Sequence, residues 1–327
     1  MAENRLHALD AVRSFALLLG LFVHGSMSFW PGLRELGWPI TDNSTSAFLV
    51  VVVFILHMFR MATFFLIAGF FARLALQKKG VKLFLKDRLK RIGLPMLTGW
   101  VICLVLIIPS LVWSGSKLID MGLDISPIQS EINTTDTSIL LHFWFLYYLL
   151  WFYIIAVLLF SYSAYIPGHK KMIAWIDDKF SKAVSYGLLL FVLAIPSTLG
   201  FLKEENWIPW FGIPTPGLFF WKEPSASVFY GLAFFIGWLL ERNRKLFTNI
   251  ARLWPAYFIG ALICSFFSFT IIGYSPFQLV ELNYTDGLIY SLMYSLASWC
   301  WIFFVVGAGI RFFNQKSEIR RYIADAS

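Results

Sequence analysis

The sequence predicts an all-α, polytopic transmembrane helix bundle, and three observations carry that prediction. Of 327 residues 58% are hydrophobic and only 14% are charged, far from the roughly half apolar and quarter charged mix of soluble domains. Aromatic residues make up 19% of the chain, a share suited to lipid-facing and interfacial surfaces. Eight stretches reach the length of about 17 to 25 apolar residues that crosses a hydrocarbon core. They run approximately from Ala11 to Trp30, Ala47 to Arg73, Ile92 to Trp113, Ile139 to Tyr162, Val184 to Leu202, Pro224 to Leu240, Leu253 to Gly273 and Gly287 to Ile310.

The first stretch has the outline of a signal peptide, with Arg5 ahead of an apolar run and small residues from Gly25 to Ser28. Seven further spans follow, and the run itself carries Arg13 and His24, so a retained first helix is expected. Pro109, Pro196 and Pro255 fall where kinks or span boundaries are expected. Cys103, Cys264 and Cys300 all lie in apolar stretches; their odd number and wide spacing give neither a disulfide framework nor a metal site, and they are read as core filler. No internal repeat or separate soluble domain is evident, so residues 1–327 are read as one membrane domain.

The charge balance is basic, with 27 Lys and Arg against 19 Asp and Glu. In a membrane chain this excess belongs to cytoplasmic loops, and no nucleic-acid partner is needed to explain it. Lys78 to Arg91, Lys170 to Lys182, Arg242 to Arg252 and Arg311 to Arg321 hold the positive clusters, in alternate loops. The intervening loops hold only Arg34, Lys117, Lys203 and Lys222. The positive-inside rule therefore places the N-terminus, and the end of the chain, in the cytoplasm.

Ionisable groups at membrane depth are costly, by about 2.5 to 3.5 kcal/mol on insertion scales, and so are functional candidates. Arg13 and His24 are 11 residues apart, about three helical turns plus 20°, which puts them on one face of the first helix about 16 Å apart. Arg13 lies near the cytoplasmic surface and His24 toward the outside. His57 and Arg60, at i and i+3 of a helix running the other way, fall within about 5 Å of His24 in depth. The alternatives are a snorkelling Arg13 beside Asp10, and an Arg60 and His57 that satisfy backbone or packing partners. Arg88 and Arg91, again i and i+3, meet the third span at its cytoplasmic mouth. Two readings stand for them: a topology signal, or a phosphate clamp of the kind arginine forks provide. His142 opens the fourth span, followed by Trp144, Tyr147, Tyr148 and Trp151 in an aromatic belt at the outer surface. In the fifth loop, Trp207, Trp210, Phe219, Phe220 and Trp221 read either as interfacial anchors or as a platform for a sugar ring.

Four stretches resemble the acyltransferase 3 family of integral membrane enzymes: LDAVRSFALLLGLFVH at Leu9 to His24, HMFRMATFFLIAGFF at His57 to Phe71, RLKRIGLP at Arg88 to Pro95 and HFWFL at His142 to Leu146. Within the family they are most similar to the glucan biosynthesis branch, associated with succinyl transfer to periplasmic glucans. The resemblance spans roughly the first half of the chain, and the second half matches mainly in hydropathy and in the closing RRYIADAS. It implies that Arg13 and His24 belong to a catalytic first helix and that Arg88 and Arg91 hold the acyl donor. In the broader family the fourth-helix motif often continues to a glutamate; here Trp144 is followed by FLYYLL, so that glutamate's role is not carried over.

Together these readings describe a bacterial inner-membrane O-acyltransferase with no bound cofactor and no metal. It is expected to move an acetyl- or succinyl-type group from cytoplasmic acyl-CoA to a glycan hydroxyl outside, with membrane lipid around it. His24 is the expected general base; His57 and Arg60 orient the thioester carbonyl or stabilise the oxyanion; His142 and Trp144 lie on the acceptor side. The rival reading is a transporter or lipid-linked sugar flippase, which also buries His and Arg around a polar cavity. The resemblance further implies ten membrane helices, so the chain is expected to lack a C-terminal pair, with Asp325 and Ser327 introducing the next helix.

Overall fold

The computed structural model describes residues 2–32, 41–120, 140, 143–163, 165–204, 207–217, 223–273 and 282–325. Helices occupy each expected span: α1 (Ala2–Met27), α2 (Ala47–Arg88), α3 (Leu94–Asp120), α4 (Trp144–Ser163), α6 (Leu189–Leu202), α7 (Pro224–Arg242), α9 (Trp254–Ile272) and α10 (Tyr284–Phe312). Between and after them lie the shorter α5 (His169–Ser185), α8 (Leu246–Arg252) and α11 (Glu318–Asp325). Among the described residues six segments are long and apolar enough to cross a membrane. The chain is a multi-pass, all-α membrane bundle.

Three spans differ from the sequence reading. The second and third join into one apolar run, Ala47–Ser110, of 64 residues, too long for a single crossing of a core about 30 Å thick. Gly80 breaks it: with φ 74° and ψ 169° it takes a conformation open to glycine and costly to other residues, which ends the crossing and turns the chain into a Lys-rich arm. A π-helical turn, Leu89–Gly93, then leads into α3. The fifth span is also bent, since α6 has only 14 residues and meets α5 at 103°.

Tight helix contact sets the centre of the bundle. α2 packs most extensively on α7, and α10 on α9 and α6, with α1 against both α2 and α10. At the α2–α7 crossing the backbones approach directly: a Cβ on Gly69 would overlap the Phe234 carbonyl, and one on Gly237 the Leu66 carbonyl. Small residues allow such approach in lipid, where van der Waals packing replaces the hydrophobic drive between helices. Around this seam lie fully buried rings, with Phe65 against Tyr230 at 4.9 Å and against Phe152 at 5.3 Å.

The Lys- and Arg-rich end of α7 is fixed by charge. Glu241 pairs with Arg73 of α2 at 2.9 Å and with Arg244 at 2.6 Å, Arg73 also covers Trp238, and Arg242 grips Asp177 of α5. Arg73 and Glu241 are buried, and removing either partner strands a charge, a far larger cost than losing a surface pair. The clamp ties α2, α5 and α7 together at one end of the bundle and so holds the register in which α2 carries its polar groups.

Candidate functional site

α2 packs against both α7 and α1. His57 lies within electrostatic reach of both Arg60 and His24, and Arg60 within reach of Tyr230. The structure thus gathers the two imidazoles and the guanidinium from two helices. Nδ1 of His57 and Nε of Arg60 are buried without a hydrogen-bond partner among the described residues, and Arg60 makes no ion pair there. His24 is exposed near the C-terminal end of α1, whereas His57 and Arg60 are half-buried. A pair of unsatisfied donors beside an open imidazole is an arrangement that a carbonyl or hydroxyl oxygen can complete.

Arg13 and Arg88 form a second site deeper toward the basic end. Arg88 lies over the rings of Phe84 at 5.1 Å and Tyr153 at 5.2 Å, and Tyr153 is also within electrostatic reach of Arg13. Arg88 and Arg91 both lie within electrostatic reach of Asp87, but a widened i→i+5 turn at Leu89–Gly93 follows Arg88, and Arg88 is half-buried where Arg91 is exposed. Between the two sites runs an aromatic layer, Tyr230 to Phe65, Phe65 to Phe152, Phe152 to Phe234 and Phe234 to Tyr153. These rings are buried.

At the start of α4 Trp144 is half-buried with its ring 5.5 Å from that of Tyr230. His142 lies outside the described residues. The fifth-loop aromatics divide. Trp207 stacks on Phe201 at 4.7 Å and donates to the Gly212 carbonyl at 2.7 Å; Trp210 is buried against Phe54 and Phe269. Both rings pack onto other aromatic side chains of the bundle. Gly212, at φ 74°, lies close against α2, because a Cβ there would sit 2.9 Å from Cβ of His57. Phe219, Phe220 and Trp221 lie outside the described residues.

Sequence reasoning missed the polar groups that surround this end. Tyr148 Oη lies 3.4 Å from Ser227 Oγ, Ser225 donates to Glu204 at 2.5 Å, and both Glu223 and Glu204 act electrostatically on Tyr148. Within LHFWFLYYLLW nothing marks Tyr148 out, because aromatic-belt residues share its composition; only Glu223, immediately before Pro224 at the start of α7, offered a signal. The three cysteines are free, with Cys300 buried and the others half-buried, and among the described residues no three His, Cys, Asp or Glu are grouped to hold a metal.

With the geometry in hand, comparisons with known proteins give one consistent result. The profile of the acyltransferase 3 family, described as an acyltransferase domain, matches residues 6–327. Similar curated proteins are named glucans biosynthesis protein C. The one from Escherichia coli strain SMS-3-5 is 28% identical over 154 residues; those from Escherichia coli K12 and Shigella dysenteriae serotype 1 are 27% identical over 154 residues. The match covers 44% of this chain and 36% of each relative, so the chain spans well under two thirds of their length. No solved structure matches. The profile takes in nearly every residue from α1 to the end of α11, and the chain belongs to the acyltransferase 3 family of membrane proteins.

Proposed function

We propose that this chain transfers an acyl group, of the acetyl or succinyl type, from acyl-CoA on the cytoplasmic side to a hydroxyl of a glycan on the outer side. The observation that carries the reading is that His57 lies within electrostatic reach of both His24 and Arg60, while Arg13 and Arg88 both act on Tyr153. The relatives' name supports a carbohydrate acceptor, and their bacterial origin supports the inner membrane as the site of action. Membrane lipid surrounds the bundle.

The chemistry follows from the groups present. The acceptor hydroxyl gives its proton to the neutral imidazole of His24, and its oxygen forms a bond to the thioester carbonyl carbon. The carbonyl oxygen takes up the electron pair, and Arg60, with His57 beside it, donates hydrogen bonds to that oxyanion. Collapse of the tetrahedral species breaks the C–S bond; the thiolate takes the proton from His24, leaving an ester and free CoA thiol. Arg13, Arg88 and Arg91 neutralise donor phosphates, while Trp144 and His142 are assigned to the acceptor side.

Sealed membrane vesicles test both chemistry and sidedness. Inverted vesicles, which expose the cytoplasmic face, should release thiol from added acetyl- or succinyl-CoA and acylate an enclosed glucan, and right-side-out vesicles should not. Glucan movement without thiol release would establish the transporter reading instead. For the donor site, Arg88→Ala should raise the donor KM by about tenfold or more, the scale of a lost charge-assisted hydrogen bond, with kcat little changed. Arg91→Ala, removing an exposed side chain, should do less. Equal and negligible effects would return both arginines to the role of topology signals.

A further inference from the structure

We infer that Gly20 is a positioning residue for Arg60: the absent side chain on α1 is the notch in which the guanidinium rests. The inference rests on the acyl-transfer reading and assigns a residue to it. Gly20 lies on the α1 stripe that carries Arg13 seven residues before it and His24 four residues after it, spacings that share one helical face. A Cβ at Gly20 would lie 2.6 Å from Nη1 of Arg60 and 3.7 Å from Cζ. The first distance is below any real contact, so even a methyl group displaces the guanidinium.

Two further facts make this more than a packing detail. Glycine is unfavourable in a helix interior, where it has the most backbone freedom to lose, and no turn or positive φ requires it at this position. Arg60, for its part, makes no ion pair among the described residues, and its Nε is buried without a partner there. Its charge is therefore held by shape, across α1 between His24 and Arg13, rather than by a carboxylate. Because the guanidinium is long and its reach fixed by where its end group seats, the surface of α1 decides the direction in which its N–H groups point.

The test is a double-mutant cycle in purified, detergent-solubilised protein. Gly20→Ala should lower kcat by about 10²-fold, the scale of an ångström of misplacement, with the donor KM unchanged. Placed in an Arg60→Ala background, Gly20→Ala should cause no further loss, since the group it displaces is gone. Losses that multiply, or a kcat unaffected by Gly20→Ala, would overturn the inference. Should Gly20→Ala alone fail to accumulate folded, adding Arg60→Ala must restore folded protein; failure to restore it overturns the inference equally. This stability arm needs no activity, so a wild-type protein that transfers no acyl group would sink the function and leave the notch to be judged separately.

Discussion

His24→Ala is expected to reduce acyl transfer by about 10²- to 10⁴-fold, the contribution of a general base, while the folded, membrane-inserted protein persists. The structural reason for expecting clean loss of function is exposure. His24 stands exposed near the C-terminal end of α1, so truncating it opens no cavity in the buried core and should leave thermal stability within the small range typical of surface substitutions. Steady-state turnover of acyl-CoA with a glucan acceptor, measured beside a melting curve in detergent, checks both halves. Turnover close to that of the unaltered protein would end the general-base assignment, and attention would pass to His57, which lies within electrostatic reach of His24.

Arg60→Ala should lower kcat by about 10²- to 10³-fold, as loss of one oxyanion donor does, without raising the donor KM. Arg60→Lys should recover only part of this, because an ammonium lacks the planar fork and the reach to span the Gly20 notch. The split between kcat and KM separates this arginine from Arg88: the one acts where charge develops in the reaction, the other on phosphates that are bound equally before and during it. An Arg60→Ala protein with normal kcat and a raised donor KM would move Arg60 into the donor site.

The helices at the eight expected spans, and their all-α class, were legible because apolar length is set by the bilayer and is local in sequence. The shared face of Arg13 and His24 was legible for a similar reason, since helix periodicity fixes it without knowledge of any neighbour. The π turn at Leu89–Gly93 escaped that logic. It leaves Arg88 against Tyr153 and Arg91 exposed, and nothing in RLKRIGLP separates an i→i+5 turn from an α-helical one. The fifth-loop tryptophans escaped it as well, since an aromatic side chain suits an interface, a ligand platform or a core, and the fold chose the core for Trp210.

By itself the sequence determined which residues fall within apolar helices and how far apart they lie along each one, because rise per residue converts sequence separation into distance along a single helix. Only the tertiary structure decided which of them meet. The Gly69 and Gly237 contacts bring α2 and α7 together, setting Arg60 near Tyr230, and the glycine at position 20 admits the guanidinium to α1. Such contacts depend on the rotation of one helix against another, and that rotation is fixed by close packing between surfaces far apart in the chain.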